Sequence, residues 1–371
     1  MRIAVIGAGL SGCTIARLLK DRGHEVVIFE KEQKPGGLCR TAVHEGRFYQ
    51  LFGPHNLHTQ SEAVIAFVRR FSEFNHYLHR VGTFVEGKTL PYPISYKTID
   101  LLKEKDYILK EISRLSGKID MSNFESCVIS MVGKRLYNKF IENYTLKFWG
   151  IAPKKMNAEW APKRIEIRQD DSLGYFKDEW QGLPSKGYTC MFETMIEGIP
   201  VNYNAEIKDY CDLGSELVVS TIPIDELFGF CYGRLVYRGI DFVIHFDESE
   251  WEDARFGCIN FPDSDVAYTR KCNYSLCYTN GPLASYIVGY DFPGNNSRMY
   301  PVYTSKNKKL FNKYLVRLVR TKNLLSIGRL GLFRYYDMDE AIAWCLDNID
   351  AVENYLFLSP EKRMALLSKV K

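Results

Sequence analysis

Ile3-Ala4-Val5-Ile6 is an unbroken apolar run of strand length, and Val26-Val27-Ile28-Phe29 is another. Residues 2–6 and 25–29 therefore read as short buried strands, with a glycine-rich turn over 7–12 and a helix over 14–22 between them. That succession is half of a βαβ unit. From residue 98 the period changes: Ile99, Leu102, Ile108, Ile112 and Leu115 are spaced as one helix face. Ser122-x-x-Glu125 then reads as a capping box that opens a second long helix, so residues 98–148 are expected to be helical. Between 182 and 303, β-branched and aromatic runs recur at 216–221, 241–246, 256–261 and 284–290, parted by Gly, Pro, Asn and Asp, which predicts an antiparallel sheet. Ile342, Trp344, Leu346, Ile349 and Val352 mark a last helix over 337–357, entered from Gly328-Arg329-Leu330-Gly331.

With 371 residues the chain is long enough for two or three packed units. Its 24 Tyr and 22 Phe suit stacking on rings, and a net charge of +4 is too mild to indicate nucleic acid. The ten cysteines show no C-x-x-C pair and no tight cluster, as expected in a reducing cytoplasm rather than in a disulfide framework. Leu10-Ser11-Gly12-Cys13 mimics a lipoprotein cleavage box, but one Arg and a glycine-broken apolar run make a poor signal peptide. No apolar stretch approaches the roughly 20 residues that span a bilayer, so membrane insertion is not expected. His55-x-x-His58 and His76-x-x-His79 have metal-site spacing without a carboxylate or Cys pair in register, and no metal is expected. A Gly-x-Ser-x-Gly elbow for acyl transfer is also missing.

Gly7-x-Gly9-x-x-Gly12 sits between a predicted strand and a predicted helix, and Glu30 closes the next strand. In that context the three glycines allow a tight turn, a close backbone approach to a pyrophosphate and close helix–strand packing, while Glu30 would take ribose hydroxyls. The continuation Glu30-Lys31-x-x-x-Pro35-Gly36-Gly37-x-x-Arg40-Thr41 resembles the second Gly-Gly element of the glutathione-reductase-like flavoproteins and amine oxidases. FAD is thus the expected dinucleotide, held by Gly7, Gly9, Gly12, Glu30, Gly36, Gly37 and Arg40. An acidic helix start at Asp337 and Asp339, with its amino terminus aimed at the flavin, would stabilise negative charge on a reduced ring.

Phe52-Gly53-Pro54-His55-Asn56-Leu57-His58-Thr59 resembles the histidine loop of the UDP-galactopyranose mutases. The likeness continues in order through Phe140, Tyr144-Thr145, Lys147-x-Trp149-Gly150, Lys163-Arg164-x-x-x-Arg168, Tyr175-Phe176 and Gln181-Gly182-x-Pro184. Tyr268-Thr269-Arg270, Tyr300-Pro301 and Gly328-Arg329-Leu330-Gly331-x-x-Arg334-Tyr335-x-Asp337-Met338-Asp339 complete it. The family interconverts pyranose and furanose sugars on a nucleotide by attack of reduced FAD N5 on the anomeric carbon, without net oxidation. The resemblance implies an enzyme, a cytoplasmic isomerase acting on UDP-galactopyranose and UDP-galactofuranose, with an external reductant such as NAD(P)H and a homodimeric state. It implies Arg168 and Arg270 on the diphosphate, with Arg329 and His58 as the other catalytic groups. His55, His58, Arg329, Tyr335, Asp337 and Met338 are implied as flavin contacts; Phe140, Tyr144, Trp149, Tyr175, Tyr300 and Tyr335 as substrate contacts.

The expected fold is α/β. Residues 1–75, 200–230 and 318–371 form a Rossmann-like FAD-binding domain, 96–165 a helical substrate domain, and 76–95, 180–199 and 231–317 an antiparallel β-sheet domain. Leu38, Met299, Lys271-Cys272-Asn273 and Pro91-Tyr92-Pro93-Ile94-Ser95 depart from the family pattern near the sugar and base. A dTDP-linked 6-deoxy sugar or an N-acetylated one therefore stays open as substrate, as do an FAD amine oxidase-like oxidoreductase and a non-catalytic nucleotide-sugar binder.

Overall fold

A computed structural model describes residues 1–159, 161–170, 172–279 and 283–368, with the backbone alone at residue 163. The side chain of Lys163, part of the family motif, and the charged tail at 369–371 lie outside the described residues. Two sheets organise the chain. The first is parallel and five-stranded, in the order Leu324–Ser326, Leu217–Ser220, Arg2–Ile6, Glu25–Phe29, Val201–Asn202. Ile3, Ala4 and Val5 are fully buried: helices Leu10–Asp21 and Met338–Glu353 pack against each other, and both lie in one core with the strands. The helix begins at Leu10 rather than at 14, taking Gly12 into its first turn.

The second sheet is seven-stranded, in the order Tyr300–Pro301, Tyr237–Glu248, Tyr286–Gly294, Arg270–Asn273, Cys258–Asn260, Val81–Val85, Lys88–Tyr92. It is mixed, since Cys258–Asn260 pairs in parallel with Val81–Val85, whereas the sequence suggested antiparallel pairing throughout. The apolar run at 216–221 belongs to the parallel sheet. Residues 180–199 and 305–317 also need reassignment. Helix Gly187–Met195 buries Tyr188, Met191, Phe192 and Met195, and helix Ser305–Arg320 buries Tyr314, Leu315 and Leu318, all in the core of the parallel sheet. Apolar spacing says that a helix buries one face; it does not say against which sheet.

The helical region forms a separate core around Phe124, Val128, Leu136, Tyr137 and Ile141. It is cut into short pieces, among them Lys105–Ile112, Phe124–Val132, a π-helical turn Tyr137–Glu142 and Asn143–Trp149. Asn123, not Ser122, caps the second piece by accepting a bond from the Ser126 amide at 3.0 Å, so the cap lies one residue after the expected one. Cys258 and Cys272 face each other across adjacent strands and are joined as a disulfide, which corrects the expectation of a chain without one. Among the described residues no helix is long and apolar enough to cross a membrane.

Candidate active site

At the carboxyl end of strand Arg2–Ile6 the two glycine elements are pressed together: the Gly36 amide donates to Ala8 O at 2.7 Å, and Gly9 bridges Gly36. A Cβ on Gly12 would lie 1.9 Å from Gly7 O, and one on Gly37 would lie 3.0 Å from Gly9 Cα. Only glycine fits these approaches. Among the described residues no side chain caps helix Leu10–Asp21, so its amino terminus opens on this concavity. The buried Glu30 carboxylate accepts from the Ala8 amide at 2.6 Å and the Glu32 amide at 2.9 Å, which places it at the rim of the turn. Arg40 donates to Gly37 O at 3.2 Å and lies over the Phe52 ring. An uncapped helix end, a backbone cradle and a carboxylate at the next strand end fit the diphosphate and ribose of a dinucleotide.

Beyond the cradle, two arginines meet a group of phenols. Arg329, on the short helix Gly328–Gly331, donates to Tyr336 O at 2.6 Å and stands over the rings of Tyr300 and Tyr335 at 5.1 and 5.3 Å. Tyr300 and Tyr335 stack with centroids 5.9 Å apart. Arg270, on strand Arg270–Asn273, holds Asp291 Oδ2 through Nε at 2.8 Å and Nη2 at 2.7 Å. Burial opposes the Arg270 charge, but Asp291, Tyr144 and Tyr300 outweigh it and raise the guanidinium pKa further. Burial keeps the phenols of Tyr144, Tyr175 and Tyr300 above their ordinary value, so they remain protonated donors. His55 is drawn down to about 4 by burial and by Arg329, leaving it neutral with Nδ1 2.9 Å from Gly53 O.

Trp149 is buried and sits edge-on to Tyr300 at 6.4 Å. Phe140 is buried in the core of the helical region, in the same apolar cluster as Trp149, and lies within the π-helical turn Tyr137–Glu142. Tyr144 stacks parallel to Phe148 at 6.2 Å.

A cleft of about 850 Å³ opens beside this centre, lined among others by His58, Arg164, Arg168, Tyr175, Tyr335 and Asp337. Arg168 is not free within it. Its Nη2 donates to Tyr175 O at 2.6 Å, its Nη1 to Gly174 O, and its Nε to Glu166 at 3.1 Å. The same segment covers His58: Phe176 stacks on the ring at 3.5 Å and Asp178 binds Nδ1 at 2.7 Å. Arg164, quoted from the sequence within its motif but given no role there, lines the cleft beside it and binds both Asp337 oxygens at 2.5 Å below the Tyr335 ring. Helix Ala161–Arg164 stops there, so Arg164 and Arg168 do not share a face. Asp337 also caps helix Met338–Glu353, with Met338 buried behind it. Asp291 was missed as well. A lone Asp in a strand carries no motif, and only the register opposite Arg270 exposes its role.

Outside the cleft, His44, Glu45 and Asp247 bring possible metal ligands together, but Arg47 already pairs with both carboxylates.

The family model for UDP-galactopyranose mutase matches residues 139–335, and that for an NAD(P)-binding Rossmann-like domain matches 5–71. A probable UDP-galactopyranose mutase of Klebsiella pneumoniae is 30% identical, with 94% of each chain covered. A dTDP-fucopyranose mutase of Escherichia coli is 28% identical over 92% of this chain and 95% of its own. The crystal structure of a reduced UDP-galactopyranose mutase superposes with a TM-score of 0.80 at 18% identity, covering 98% of both chains. The glycine cradle and the arginine-phenol centre thus stand in an isomerase-type enzyme, and the chain belongs to the UDP-galactopyranose mutase family.

Proposed function

We propose that this chain is a flavin-dependent mutase that interconverts the pyranose and furanose forms of a nucleotide sugar, with UDP-galactose as the expected substrate. The meeting of Arg270 and Arg329 with Tyr144, Tyr300 and Tyr335 beside the glycine cradle carries the reading. Reduced FAD, when bound at Gly7, Gly9, Gly12, Gly36, Gly37 and Glu30, supplies through N5 the nucleophile for the anomeric carbon. The protein's part is orientation and charge. Arg270, braced by Asp291, binds the diphosphate and takes up the negative charge that grows as the diphosphate departs. The hydroxyls of Tyr300 and Tyr335 donate to its oxygens, Tyr144 and Trp149 wall the nucleotide and the sugar, and Arg329 and the helix beginning at Met338 face the flavin. Arg168 contributes to the diphosphate once the Gly174–Tyr175 carbonyls release it, and His58 to the flavin face once Phe176 leaves it. We further take NAD(P)H as the reductant, a homodimer as the assembly and the cytoplasm as the place of action.

A second reading has its own support. The dTDP-fucopyranose mutase relative makes a dTDP-linked 6-deoxy hexose a competing substrate. Both are tested by giving FAD-loaded, dithionite-reduced protein UDP-galactofuranose and dTDP-fucofuranose in parallel and separating products by chromatography. Appearance of one pyranose form, with no turnover by the oxidised protein, is the expected result. If neither sugar reacts, the mutase reading falls; peroxide release with an amine would replace it by an oxidase.

A further inference from the structure

The loop leading from strand Cys258–Asn260 to strand Arg270–Asn273 is gathered around a side chain from another part of the molecule. Lys147, on helix Asn143–Trp149, sends Nζ to Phe261 O at 2.7 Å, Asp263 O at 2.6 Å, Val266 O at 2.8 Å and Tyr268 O at 3.1 Å. An ammonium carries three donors and no acceptor, so four converging carbonyl oxygens saturate it. Burial draws its pKa down to about 8, which still leaves it charged at neutral pH. A second cation holds the same helix from the sheet side: Arg238 donates to Phe148 O at 2.6 Å and Lys147 O at 3.0 Å. Helix and sheet are therefore joined here by charge on backbone carbonyls.

What lies on either side gives the clamp its meaning. The helix carries Tyr144 and Trp149, and the loop runs directly into Arg270 through Thr269, whose amide donates to Asp291 O at 2.9 Å. We propose that Lys147 is a positioning residue that sets the separation between the Tyr144–Trp149 helix and the Arg270 strand, so that one nucleotide sugar meets its aromatic wall and its diphosphate cation together. A compact point charge suits this task, since the planar fork of Arg cannot draw four carbonyls to one point. The inference rests on the nucleotide-sugar reading above.

The test uses full-length, FAD-loaded protein and UDP as probe. Lys147→Met keeps the stem and removes the charge. Calorimetric affinity for UDP should fall about tenfold in the otherwise unchanged protein and by less than about twofold in an Arg270→Ala background, because coupled residues are non-additive. Amides of the 261–269 loop should exchange faster in Lys147→Met, with those of helix Leu10–Asp21 unchanged. Equal affinity losses in both backgrounds, or unaltered exchange in the loop, overturn the proposal. If UDP binds none of the four proteins, the nucleotide-sugar reading fails by itself, and the loop exchange still judges the clamp. Should Lys147→Met not fold, Lys147→Gln is read the same way.

Discussion

Arg270 and Asp291 form a pair in which neither residue explains itself alone. The arginine is legible from Tyr268-Thr269-Arg270, whereas Asp291 lies on another strand and reaches it only through the register of the seven-stranded sheet. Asp291 is 1% exposed, and its Oδ1 is buried without a hydrogen-bond partner among the described residues. Burial pushes its carboxyl up against the pull of Arg270, so the pair is held by geometry at a desolvation cost. Asp291→Asn keeps the shape and removes the charge. It should lower kcat/KM by roughly 10- to 100-fold, the weight of a charge-assisted hydrogen bond, while flavin content stays constant. Steady-state kinetics with an absorbance measurement of bound flavin checks this, and unchanged kcat/KM would remove Asp291 from the machinery. Arg168 illustrates the reverse. Its motif is plain in the sequence, yet its guanidinium is occupied by Gly174 and Tyr175 carbonyls that no local pattern foretells.

Among the elements, the strand–turn–helix of residues 2–21 was the most legible, because its glycines stand at the spacing where a positive φ and a close backbone approach exclude other residues. The glycines nevertheless do different work, and two substitutions separate them. Gly12→Ala forces a methyl group to within 1.9 Å of Gly7 O and should cost about 1–3 kcal/mol of stability, with flavin lost as well. Gly9→Ala meets nothing nearer than Gly37 Cα at 3.9 Å, so it should spare the melting temperature but block the diphosphate and lower flavin content. Thermal melts alongside flavin absorbance would show whether the two effects part in this way. The helical stretch was less legible. Apolar spacing announced helices over 98–148, but Gly133 in a left-handed conformation at φ +88° and the π-helical turn at Tyr137–Glu142 break the repeat. A residue inserted into a helical turn is invisible to a 3.6-residue period.

For the whole molecule, burying neutral imidazoles ties stability to pH. Burial draws His79 from 6.5 to about 3, and burial together with Arg329 draws His55 to about 4. The unfolded chain therefore binds more protons below about pH 6.5, and the stability these groups contribute, complete above that value, is lost as the pH falls toward their folded pKa values. The melting temperature should drop between about pH 7 and pH 5, and less steeply in His79→Gln. Parallel slopes for the two proteins would contradict the assignment. Several features of the molecule follow from the sequence by itself: a dinucleotide-type Rossmann unit, the helical and sheet regions, the family, and most of the site's residue types. These depend on local periodicity, turn chemistry and ordered motifs, all written in near neighbours along the chain. The tertiary structure alone decided that Asp291 braces Arg270, that Arg164 pairs with Asp337 while backbone carbonyls occupy Arg168, that Cys258 meets Cys272, and that Lys147 gathers the loop before Arg270. Each of these depends on sheet register or on the docking of one unit against another, which arises from burial shared among distant segments.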